Sequence, residues 1–111
     1  MKLINETNGY ILADQVRIAD NFFARLKGLL GTALLPPGHC LVIRPCNSVH
    51  TFGMRYPIDV LFVSKDDVVL EKVSKMQSGK IAAKKGSSYV IELPAGGAEP
   101  ANAGDKLVFK R

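Results

Sequence analysis

The chain has 111 residues, 47% of them apolar and 23% charged, which suits one soluble globular domain large enough to bury a core without disulfides or metals. Fifteen basic residues against ten acidic ones give a net charge of +5. No apolar run approaches membrane-spanning length, and Met1-Lys2-Leu3-Ile4-Asn5-Glu6 turns polar too soon for a secretory signal, so a cytoplasmic location is expected.

Lys2 to Thr7 and Tyr10 to Arg17 read as two strands broken at Asn8-Gly9, a strong two-residue hairpin signal. Asp20 or Asn21 can cap a helix whose apolar face is Phe22, Phe23, Leu26, Leu29 and Leu30, with Gly31 as its stop. Leu34-Leu35-Pro36-Pro37-Gly38 is a stiff loop, because proline fixes φ and removes a donor. His39 to Arg44 and Ser48 to Met54 suit short strands. Ile58 to Val63, with Asp59 its only polar residue, has the near-continuous apolar character of a strand buried on both faces. Lys65-Asp66-Asp67 turns into Val68 to Val73, a strand that can reach Met76. Ser78 to Gly86 is polar and glycine-punctuated. Ser88 to Leu93 and Lys106 to Lys110 complete the strands, with a small-residue connection, Pro94 to Asp105, between them. The expectation is one β-rich (α+β) domain over residues 1–111, a curved sheet or partly closed β-barrel with one packed α-helix at about residues 20–30.

The positive charge does not point to nucleic acid. Lys72, Lys75, Lys80, Lys84 and Lys85 are interleaved with Val73, Met76 and Ile81 rather than with the aromatics that stack on bases. Cys40 and Cys46 lack paired CxxC spacing, and a cytoplasmic setting leaves them as free thiols or ligands.

Chemistry concentrates in Cys46-Asn47-Ser48-Val49-His50-Thr51-Phe52-Gly53-Met54-Arg55. Cys46, His50 and Met54 are spaced by four, so they share a face on either a strand or a helix. Their thiolate, imidazole and thioether suit copper, but a blue-copper site needs a second histidine, and His39 is too close in sequence for that. A zinc set of His39, Cys40, Cys46 and His50 lacks the usual spacing. A Cys46–His50 nucleophile pair would need a tight turn, since residues four apart on a strand are separated by about 13 Å. No cofactor is implied, and no second constellation indicates a catalytic pocket. Arg25 lies beside the apolar helix face, where its five donors need acceptors; Asp59 and Glu92, acids set in apolar strand sequence, are the candidate partners.

Arg25-Leu26-Lys27-Gly28-Leu29-Leu30, His50-Thr51-Phe52-Gly53-Met54 running into Pro57-Ile58-Asp59-Val60-Leu61-Phe62, Glu92-Leu93-Pro94-Ala95-Gly96 and Gly104-Asp105 resemble, in the same order, the blocks of the DUF192 family of small prokaryotic proteins, also called UPF0127. The resemblance implies a β-rich fold with a helix packed on it and carries no activity. That family often has other residues at the positions of Cys46, Asn47 and His50, so a metal or thiol role would belong to a subgroup.

The function expected from the sequence is therefore a small ligand-binding or interaction module. Its site is drawn from His50, Phe52, Met54 and Arg55 with Arg25 and Glu92 as neighbours, and its partner is a small anionic ligand or a protein rather than a membrane. A metal- or thiol-dependent protein using Cys46, His50 and Met54 is the alternative.

Overall fold

The computed structural model describes residues 1–29 and 32–111. Its centre is β6 (Ile58–Val63), in which every residue is buried, as its apolar run requires. On one side β6 pairs antiparallel with β9 (Tyr89–Pro94), which pairs with β4 (His39–Ile43), which pairs parallel with the edge strand β3 (Gln15–Ala19). On its other side lies β7 (Val69–Met76), giving a five-stranded sheet in the order β3-β4-β9-β6-β7.

A three-stranded sheet, β10-β1-β2, is built from Lys2–Asn5 (β1), Ile11–Ala13 (β2) and Leu107–Lys110 (β10). It covers one face of the large sheet, where Leu3, Leu12 and Leu107 pack on Val42, Leu61, Val63, Ile91 and Leu93. The Asn8-Gly9 turn behaves as expected, with Gly9 at φ 81° and the Asn5 N–H donating to Tyr10 O at 2.8 Å. The expected Tyr10–Arg17 strand is two strands in different sheets. They part at Asp14, whose N–H donates to Gly38 O, as does that of Gln15.

The opposite face holds Leu41, Ile43, Ile58, Val60, Phe62 and Val90. It is covered by Leu29, Leu35, Val49, Met54 and Tyr56, residues of the post-helix segment and of the region around β5 (Ser48–His50). β5 pairs with β8 (Ile81–Ala83), a strand hidden in the polar sequence after Ser78. The sheets do not close into a barrel.

The helix differs most from expectation. It runs only Phe22–Lys27, capped by Asn21, whose side chain accepts from the Ala24 N–H at 2.9 Å. It ends at Gly28, which adopts φ 51°. The proposed stop at Gly31, like Leu30, lies outside the described residues. With one and a half turns, the helix puts Ala24 against the sheet and leaves Phe22, Phe23 and Leu26 facing outward, Phe23 at 79% exposure. Leu29, just beyond it, is the apolar anchor.

The ion pair expected of Arg25 with Asp59 or Glu92 is absent. Among the described residues the one salt bridge is Arg44–Asp20 at 3.7 Å, between exposed side chains. Asp59 is 1% exposed, and its carboxylate accepts backbone N–H groups instead: Lys75 at 2.8 Å, Gly96 at 3.0 Å and Ala98 at 3.0 Å. Side-chain patterns cannot reveal such acceptor duty.

Three stability measurements check this account. Leu61→Ala should lose about 2–5 kcal/mol in denaturant unfolding, and Asp59→Ala, which orphans three donors, about 3 kcal/mol or more. Arg25→Met should stay within about 0.5 kcal/mol of the parent, as expected of a side chain with no ion-pair or hydrogen-bond partner among the described residues.

Candidate functional site

Side chains alternate along β9, so Tyr89, Ile91 and Leu93 enter the core under the three-stranded sheet while Val90 and Glu92 face the other way. Glu92 is thus set mid-sheet, opposite Leu41 on β4 and Val60 on β6. It is 5% exposed, yet its carboxyl has no hydrogen-bond partner among the described residues. A buried polar group is ordinarily paired with protein or water, and among the described residues no side-chain oxygen sealed from solvent lacks a partner, so the surroundings of this carboxyl need an account.

The explanation lies above it. Glu92 lines a cavity of about 170 Å³. Ile43, Val49, Leu29 and Met54 form apolar walls, Pro45, Cys46 and Ser48 close one side, and Arg25, Lys27 and His50 stand around it. Arg25 is half-buried and, among the described residues, has neither an ion-pair nor a hydrogen-bond partner. His50 is exposed and stacks on Phe52, with ring centroids 5.5 Å apart and planes at 27°. It also borders, with Phe22, Arg25 and Leu26, a shallower depression beside the cavity.

Thr51 is what brings His50 and Met54 to one place. Fully buried, it donates its hydroxyl to Gln77 O at 2.5 Å and accepts from the Lys80 N–H at 2.9 Å. Its carbonyl accepts from the N–H groups of Met54 and Gly79, each at 3.1 Å. The chain therefore doubles back after β5, with Gly53 at φ 79°, and Met54 returns towards the cavity. A buried threonine within a polar motif was the available signal for this anchor.

Of the residues proposed from sequence, Arg25, His50, Met54 and Glu92 line the cavity, as does Cys46. Phe52 reaches the site only through its stack on His50. Arg55 is exposed and lines neither this cavity nor the depression beside it.

Burial pushes the Glu92 carboxyl up to about 7, and Arg17, two strands away on the same face, pulls only weakly against it. Burial also raises the Cys46 thiol. The Ser48 backbone acts in the opposite direction, Glu92 raises it further and Arg25 lowers it. The net direction is upward, the reverse of an activated nucleophile. Cys40, sealed in the core, is pushed to about 12. Among the described residues no group of three His, Cys, Asp or Glu side chains is placed to hold a metal ion, and both cysteines are free.

The family model DUF192, described as "Uncharacterized ACR", matches residues 3–109. The chain belongs to the DUF192 family. Its UPF0127 relatives include a Pyrococcus abyssi protein, 36% identical over 85% of this chain and 83% of its own length. A Thermococcus sibiricus protein is 32% identical over 95% of this chain and 72% of its own length. A Pyrococcus furiosus protein is 30% identical over 98% of both. Among solved structures, a Novosphingobium aromaticivorans protein of unknown function superposes with a TM-score of 0.85 at 18% identity, over 98% of this chain and 84% of that one. A Sinorhizobium meliloti protein does so at 0.82 and 22% identity, over 96% and 89%. At those identities the likeness carries the DUF192 fold alone.

Glu92 gives this DUF192 domain a testable pH dependence. The unfolded carboxyl titrates near 4.5 and the folded one near 7. Between those values the folded protein holds a proton that the unfolded chain has released. Stability therefore falls as pH rises through the window, by roughly 3 kcal/mol in all. Glu92→Gln should flatten that decline and be more stable than the parent above pH 7, as urea titrations at pH 4.5 and pH 8 would measure.

Proposed function

We propose that this protein binds a small molecule in the cavity over β9, with Glu92 as the group that recognises it. The observation that carries the reading is a carboxyl 5% exposed, mid-sheet, without a hydrogen-bond partner among the described residues and lining a cavity. Desolvating a carboxyl without a partner costs stability, whereas an arriving hydrogen-bond donor repays it on binding. Apolar walls with a few convergent polar groups are the usual make-up of such sites. The volume is close to that of an engineered cavity that admits benzene, about 150 Å³. It therefore suits a ligand of roughly six to ten non-hydrogen atoms.

His50 and Phe52 stand where a ligand would enter. A cytoplasmic setting would keep the Cys46 thiol reduced beside it. Binding without turnover is the favoured reading, because the raised Cys46 thiol is a poor nucleophile.

A fragment screen followed by NMR checks the proposal. Binders should shift the methyl signals of Ile43, Val49 and Met54, and Glu92→Gln should weaken the donor-bearing ones about tenfold, the cost of one hydrogen bond to a charged group. Hits confined to other surfaces, or affinities indifferent to Glu92→Gln, would remove the site.

A further inference from the structure

The cavity displays two groups of opposite charge, neither with a side-chain partner among the described residues, at different depths. Glu92 projects from a central strand and is 5% exposed, so it forms the floor. Arg25 belongs to the short helix, is half-buried, is followed by the exposed Leu26 and Lys27, and stands at the rim. Their sequence contexts suggest an internal pair, yet they are not within 4.0 Å of each other. Between them are the aliphatic walls of Leu29, Ile43, Val49 and Met54.

We infer that the cavity takes a small dipolar molecule with an amine at one end and an acid group at the other, the ammonium on Glu92 and the acid on Arg25. The inference rests on the binding reading above and names the ligand class for that same site. A purely anionic ligand would set its charge against the floor carboxylate. A purely cationic one would pass Arg25 and Lys27 at the rim and leave both unmatched. A dipolar ligand satisfies floor and rim together, and a short aliphatic spacer fits the walls. Pairing also offsets the penalty that the buried Glu92 carboxylate carries alone. Because the carboxylate form is the one that pairs with an ammonium, binding near neutral pH should drive a proton off Glu92.

The test is NMR titration of the whole protein, following Met54 and His50, with four matched series of probes. These are the ω-amino acids from glycine to 6-aminohexanoate, the alkylamines, the alkanoates and the 1-alkanols of equal chain lengths. At least one ω-amino acid should bind tenfold or more tightly than its amine, acid and alcohol counterparts. Glu92→Gln should erase its advantage over the alkanoate, and Arg25→Met its advantage over the alkylamine. Calorimetry of that ω-amino acid at pH 7 in two buffers of different ionisation enthalpy should show proton release, lost in Glu92→Gln. Shifts of Met54 caused equally well by an alcohol, amine or acid alone would overturn the ligand class and keep the binding site. No shift of Met54 or His50 from any series would overturn both.

Discussion

The fold depends on the buried carboxylate of Asp59. It stands on β6, under the three-stranded sheet, and draws in N–H groups from two other places: Lys75 on β7, and Gly96 and Ala98 in the turn after β9. Each contact dictates a backbone conformation. Lys75 takes φ 51°, which a lysine adopts only under constraint, and interrupts the β6–β7 register. Gly96 takes φ 88°, and Gly97 turns so close to Pro94 O that an added Cβ would sit 2.9 Å from it. One carboxylate thus fixes the edge of the sheet and the exit of β9. Fixing β9 in register decides that Ile91 and Leu93 enter one core and that Glu92 faces the other way.

Asp59 and Glu92 are therefore complementary. They lie on adjacent strands and opposite faces, both almost fully buried. The first accepts three backbone N–H groups, which offsets the cost of burying it. The second is left with apolar neighbours, a cavity and an Arg25 that does not reach it. An aliphatic residue at 92 would be less costly to bury than an acid with no hydrogen-bond partner among the described residues, and polar groups placed against stability in this way are the ones that most need a functional account.

Much of this was legible in the sequence where one local rule acts alone. The unbroken apolar run of β6, the Asn8-Gly9 turn and the Asn21 cap each follow from their own residues. Grouping His50 and Met54 with Arg25 and Glu92 was legible from residue chemistry, although Arg55 lies apart from the cavity. What did not show were features set by distant chain. Phe22, Phe23 and Leu26 have helical apolar spacing, but a helix that stops at Gly28 is too short to turn that face inward. β8 is three residues whose pairing with β5 is visible only in space. The partners of Asp59 are main-chain donors, which every residue but proline carries, so no side-chain pattern announces them.

The central claim is that Glu92 is a buried acid whose carboxyl has no hydrogen-bond partner among the described residues. Carboxyl ¹³C NMR of the ligand-free protein, followed across pH 3 to 9, tests it most directly. The account predicts a Glu92 midpoint near 7. A midpoint at or below the ordinary 4.5 would show that the folded protein already satisfies this carboxylate, and would contradict the account.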